Sequence, residues 1–241
     1  MTNIQEQIEI LVTLQGVEME ILQADRQIVT LNSEADALDQ AAADREAAFG
    51  AEKEALGVLK KAYRELESES KVNVESIVKS NEKLRAVKTN KEYQSILKEI
   101  EELRKKNSGI EDRMLELLEE IEAQEAAARE REDQLANFIQ TCKEKKKVLA
   151  DNVNRERQTV DDLNEKRMQI RDKADQKTIA VFDSVRKKVR GIAVAPAQQA
   201  ICMGCHMNIP PQLFNELLRF DEFRFCPHCN RILYWKEKDG E

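Results

Sequence analysis

Residues 10–42, ILVTLQGVEMEILQADRQIVTLNSEADALDQAA, place apolar side chains at Ile10, Leu14, Val17, Ile21, Ala24, Ile28, Leu31, Ala35, Leu38 and Ala42. The steps alternate between four and three residues, which brings all of them onto one stripe of an α-helix and predicts a coiled-coil seam. The register resumes through Phe49, Leu56, Leu59, Tyr63, Leu66 and Ile77, with polar interruptions at Arg45, Glu52, Ser70 and Asn73. A second series, spaced by sevens, runs Tyr93, Ile100, Asn107, Met114, Ile121, Ala128, Leu135, Cys142, Leu149, Glu156, Leu163, Ile170.

Between the two series, Thr89 followed by Glu92 has the spacing of a capping box, so a new helix starts there and a turn falls within residues 80–90. If Ile77 faces Tyr93, Ile10 lies near Val160, and the two series zip antiparallel within one chain. Each arm would then extend roughly 120 Å at the α-helical rise. Asn107 at a seam position asks for a polar partner and so fixes register. Cys142, also on the seam, packs as a small apolar side chain. Apolar faces left over on the hairpin are where two copies would pair as a homo-oligomer.

Composition agrees with long helices rather than one compact globule. Of 241 residues, 35% are charged and only 5% aromatic, too little bulk for a large core. All four prolines, at 196, 210, 211 and 227, follow Ala195, so nothing earlier must break a helix. No apolar run approaches a membrane span, and the amino end lacks the pattern of a targeting segment. A cytoplasmic protein is expected, and its five cysteines then point to metal rather than disulfides.

Four of those cysteines, Cys202, Cys205, Cys226 and Cys229, are spaced C-x2-C-x20-C-x2-C. The stretch CMGCH at 202–206 also reads as a haem-attachment motif, but haem would leave the second pair without a purpose. Two C-x-x-C loops offer four thiolates in the tetrahedral arrangement that Zn²⁺ accepts, with no position left for water or substrate. One structural zinc is therefore expected, with His206 and His228 as bystanders. IPPQLFNELLRF at 209–220 predicts a short helix, and EFRF and RILYW flanking the second pair predict two short strands. The fold class is mainly α: an antiparallel coiled-coil hairpin over 1–190, a linker over 191–201 and a C4-type zinc ribbon over 202–241.

The stretches VKTNKEYQSILKEIEEL at 87–103, CMGCHMNIPPQ at 202–212 and FCPHCNRILYW at 225–235 resemble bacterial proteins that join a long helical hairpin to a C4-type zinc ribbon. The resemblance implies Cys202, Cys205, Cys226 and Cys229 as zinc ligands and a non-enzymatic cytoplasmic protein. Relatives in that family are linked to flagellar biogenesis and type III secretion as chaperone-like or regulatory partners, and to RNA.

Charge suggests where a partner would bind. Residues 71–98 hold seven bases against three acids, whereas 99–134 hold six against thirteen. Lys79, Lys83, Arg85, Lys88 and Lys91 cluster at the expected tip, and Arg186, Lys187, Lys188 and Arg190 precede the cysteines. From 196 onward five bases meet six acids, and four thiolates on Zn²⁺ add negative charge, so the ribbon lacks a phosphate binder's footprint. The expected function is a zinc-binding adaptor or chaperone-like protein that engages protein partners through hairpin and ribbon. The alternative is a regulator that binds RNA or DNA through the basic tip. No glycine-rich phosphate loop or other catalytic motif points to an enzyme or a small-molecule substrate.

Overall fold

A computed structural model describes residues 3–189 and 191–236. Two very long helices, α1 (Ile4–Ala86) and α2 (Asn90–Lys173), are followed by α3 (Gln176–Val189), β1 (Val194–Gln198), β2 (Ile201–Cys202), α4 (Pro211–Leu217), β3 (Arg224–Phe225) and β4 (Ile232–Trp235). The chain divides into two compact units: one is 35–147, and the other joins the described parts of 1–34 and 148–241. No helix among the described residues is long and apolar enough to cross a membrane.

In the unit 35–147, α1 and α2 pair antiparallel around the turn at Val87–Thr89. Thr89 Oγ1 accepts the Glu92 backbone N–H at 3.4 Å and donates to Glu92 Oε2 at 2.7 Å, so Thr89 caps α2 with Glu92 bonded to its hydroxyl rather than to its backbone N–H. Three of the four polar interruptions in the first seam meet the other arm. Arg45 lies over the Phe138 ring at 3.5 Å, Glu52 pairs with Arg131, and Ser70 donates to Asn107 Oδ1 at 3.0 Å. Asn107 in turn donates to Glu111 at 2.7 Å, so this buried amide has the polar partners its seam position demands. Cys142 is buried on the same seam.

The register differs from the sequence expectation. Pairing Ile77 with Tyr93 would put Ser70 near Ile100 and Arg45 near Glu125, but their partners are Asn107 and Phe138. The reason lies at the turn. Tyr93, in the first turn of α2, is 41% exposed and is not a seam residue, so the inward series starts effectively at Ile100. Lys60–Glu125, Lys53–Glu132 and Lys146–Asp39 cross between arms in the observed register. Such exposed pairs contribute about 0–1 kcal/mol each, so they select an alignment more than they stabilise it.

In the other unit, the second arm does not continue to residue 190: α2 ends at Lys173 and α3 begins separately. No glycine or proline marks this break. It is held instead by Gln7, only 1% exposed, whose Oε1 accepts the Asp175 backbone N–H at 2.9 Å. Gln7 thus takes the N–H that would otherwise donate to the Arg171 carbonyl and continue the helix, so the chain turns there without an intrinsic breaker. Thr178, Phe182 and Val185 of α3 then face inward. Phe182 and Val185 meet Leu11 and Leu14 of α1 and Ala193, Val194 and Ile232 in one cluster.

Residues 191–201 are not a linker. β1 lies inside a four-stranded sheet of order β2-β1-β4-β3, antiparallel to β2 and parallel to β4, while β3 pairs antiparallel with β4. Ala193, Val194, Ala195 and Ala197 are essentially fully buried. The alternation of side chains gives the sheet two apolar faces: Val194 and Ile232 join the cluster under α3, and Ala195 and Leu233 join a second one with Leu217. A proline inside such a strand argues against it from sequence. Ile232 donates to Ala193 O at 2.8 Å and Lys236 to Ala197 O at 3.5 Å, so odd-numbered residues of β1 bond toward β4. Pro196 faces the other way, where its missing N–H is not needed and its carbonyl accepts from Met203 at 2.9 Å. Val194, facing that way too, exchanges both backbone groups with the Gln15 amide at 2.7 and 2.8 Å, as a neighbouring strand would.

Charged groups bind α3 to the long helices. Arg171 donates twice to Asp183, at 3.1 and 2.6 Å, which raises the Arg171 pKa, and Arg186 donates to nearly buried Glu18 at 2.9 Å. Burial raises the Glu18 pKa, against the lowering effect of Arg186, Arg167 and Arg171. The folded chain thus holds this proton more tightly than the unfolded chain. Glu18's contribution is fully present below its unfolded pKa and is lost as pH rises through the folded one. Glu18→Gln removes that dependence, so its melting temperature relative to the parent is expected to improve as pH goes from about 4 to about 7. Thermal circular dichroism at several pH values reads this, and a constant difference contradicts it.

Candidate metal centre

The two cysteine pairs sit in loops of the same construction. Cys202 donates its N–H to Met207 O at 3.0 Å and its carbonyl accepts the His206 N–H at 2.7 Å. Cys226 donates to Arg231 O at 2.9 Å and accepts from Asn230 N–H at 2.9 Å. His206 and Asn230, each following the second cysteine of its pair, have positive φ, 61° and 57°. That conformation curls the loop so that both sulfurs of a pair point to one place, and it gives His206 a backbone role rather than a ligand's. His206 and His228 are both exposed.

All four sulfurs lie within 4.8 Å of one another. Cys202 and Cys229 are separated by 3.9 Å and Cys205 and Cys226 by 3.7 Å. A tetrahedron with Zn–S bonds of about 2.3 Å has edges of about 3.8 Å, so the set fits one structural zinc ion with no open position. Burial raises the Cys202 thiol to about 12 and also raises Cys205. At Cys229 burial is outweighed by the Arg231 backbone N–H and by bonds with Cys226, Cys205 and the Arg231 side chain, which bring it down to about 7. Unmatched thiols of this kind lose their protons on coordination, and zinc supplies the charge that burial alone penalises.

Arg231 joins the loops. Its Nε donates to Ile192 O at 2.9 Å and its Nη1 to Gly204 O at 2.7 Å. A Cβ at Gly204 would lie 2.7 Å from Arg231 Cδ and 2.9 Å from Ala195 Cβ, so glycine is what lets this side chain pass. Sequence spacing found the four ligands but not Arg231, whose role exists only once the two loops are adjacent. α4, started by Pro210 and Pro211, places Leu213, Phe214 and Leu217 against Cys202, Cys226 and Leu233.

His206→Gly is expected to keep one zinc per chain and to gain up to about 1 kcal/mol, because glycine adopts positive φ without the steric cost of a side chain. Elemental analysis with thermal melting checks this. Loss of zinc would make His206 a ligand after all.

The basic residues of the turn are placed in the unit 35–147. Lys79, Lys83 and Arg85 lie in the last turns of α1, Lys88 in the connection and Lys91 at the start of α2; all five are exposed. None forms an ion pair among the described residues. Of the second basic group, Arg186 is occupied by Glu18, Lys187 and Lys188 are exposed, and Arg190 lies outside the described residues.

Residues 201–233 match the model of the C4-type zinc ribbon domain. None of the curated proteins matches the chain. Among solved structures, CT398 from Chlamydia trachomatis aligns with TM-score 0.86 at 19% identity over 97% of this chain and 99% of its own. A Mycobacterium smegmatis protein aligns with TM-score 0.75 at 20% identity over 96% and 98%, and HP0958 from Helicobacter pylori with 0.59 at 16% over 99% and 100%. At these identities the likeness is one of fold, so the chain carries a C-terminal C4-type zinc ribbon on a long helical architecture that solved bacterial proteins share.

Proposed function

We propose that the protein is a non-enzymatic, cytoplasmic adaptor that recruits an acidic protein partner at the hairpin turn, with the zinc ribbon as a second docking module. The observation that carries this reading is the composition of the turn. Five exposed cations, with no ion pair among the described residues, stand beside exposed Val74, Val78, Tyr93 and Leu97. Cations alone suit any polyanion, but apolar groups among them favour a folded protein face, where both kinds of contact are used. The closed thiolate set gives zinc a structural task, which supports the absence of catalysis.

The test is affinity capture from native extract with the full chain and with a variant carrying Lys83→Glu, Arg85→Glu, Lys88→Glu and Lys91→Glu. A specific protein retained by the parent and lost by the variant supports the reading. RNA binding that falls steeply with salt and disappears in the variant would replace it with the nucleic-acid regulator.

A further inference from the structure

A groove of about 460 Å³ runs between α3 and the edge of the sheet, lined by Val181, Ser184, Val185 and Lys188 of α3 and by Phe225 and Asn230. We propose that this groove binds an extended, acidic peptide segment of another protein, which adds as a fifth strand to the free edge of β3.

The backbone supplies the first argument. Among the described residues β3 is an edge strand, bonded only to β4. Cys226 donates to Arg231 O, so the pair formed by those two residues is hydrogen-bonded, and alternation makes Phe225 opposite Ile232 the non-bonded kind. The N–H and C=O of Phe225 therefore point away from β4, to the open edge, where a peptide can take both.

Side-chain direction supplies the second. Phe225 projects from the same face of the sheet as its cross-strand neighbour Ile232, which is the face α3 covers. A residue placed opposite Phe225 on an added strand projects from that face too, straight into the groove. Phe225 is 39% exposed, an apolar wall that lacks a neighbour on its outer side.

Charge identifies the occupant. On α3, Arg186 is engaged by Glu18 and Asp183 by Arg171, whereas Lys177, Lys187 and Lys188 are exposed and form no ion pair among the described residues. Arg224, also at the edge, is already held by Glu216 and Glu222 at 3.3 and 2.7 Å. Lys188, the one charged residue that lines the groove, is thus an uncommitted cation there, on a chain whose net charge is -7. An apolar residue opposite Phe225 with acidic residues at alternate positions matches it, and a basic peptide does not.

This deepens the adaptor reading by naming the kind of segment the ribbon end would take, and its test is separate from the turn. The zinc-loaded full chain is titrated, by fluorescence anisotropy, into a fluorescein-labelled, end-capped peptide of alternating valine and glutamate. Saturable binding is expected, weakened at least about tenfold by Ser184→Glu with Lys188→Glu, both on exposed positions of α3. Binding should also slow hydrogen exchange at the Phe225 amide. Absence of saturable binding, equal binding of a valine–lysine peptide, or indifference to the α3 variant would overturn the proposal. Binding lost instead in the turn variant would also overturn it while leaving the adaptor reading intact.

Discussion

Removing the zinc, by chelation or by Cys226→Ser, is expected to unfold the ribbon while leaving most of the helix signal. The ribbon's inner cluster consists of Ala195, Ala197, Cys202, Ile209, Leu217, Cys226 and Leu233, so two of its seven members are ligands. A structural zinc site is worth about 10–16 kcal/mol in small peptides, comparable with the whole stability of a typical domain, about 5–15 kcal/mol. Nothing else so small can replace it. Ile232 and Leu233 of β4 are fully buried, so their amides should lose protection and exchange quickly. New protease cuts should appear between 191 and 236, with far-ultraviolet circular dichroism little changed because α1 and α2 supply most of the helix. Cys142→Ser, buried on the helical seam of the unit 35–147 and not one of the four clustered sulfurs, should retain one zinc and serves as the control. Unchanged exchange in β4 and unchanged cleavage in a zinc-free sample would contradict the expectation.

The ligand set and the helical hairpin were legible because each repeats a spacing that one physical constraint dictates. A seam must recur at helical period, and a tetrahedral ion needs paired loops. What sequence concealed are features where a distant residue does the work of a local signal. The end of α2 carries no breaker, since Gln7 satisfies Asp175 from the far end of the chain. β1 contains Pro196 and closes on β2 through Gln199 and Ala200, both at positive φ though neither is glycine or asparagine, so the hairpin has none of its usual marks. Its strand character rests on Gln15 and β4. Register failed for a related reason: heptads repeat, and only particular polar pairs such as Ser70 with Asn107 distinguish one alignment from the next.

Phe182→Ala is expected to undo the packing of α3 without releasing the metal. Phe182 is 0% exposed, in a cluster with Leu11 and Leu14 from α1, Ala193 and Val194 beside and within β1, and Ile232 from β4. Truncating a buried phenylalanine costs about 3–5 kcal/mol, the lost transfer energy plus the cavity left behind. The cost falls on one face of the sheet, whereas the sulfurs belong to the cluster on the other face. Local opening of α3 should therefore become about two to four orders of magnitude more frequent, read as faster hydrogen exchange across Gln176–Val189 and at the Val194 amide bonded to Gln15. Protection in 35–147 and zinc stoichiometry should hold at parent values. If zinc is lost together with α3, the two faces of the sheet fold as one cooperative body, and the metal's stabilisation reaches through Ile232 into the helices. If exchange in α3 stays at the parent rate, Phe182 is not the residue that holds the helix down, and the charged pairs of Arg171 and Arg186 must carry that task.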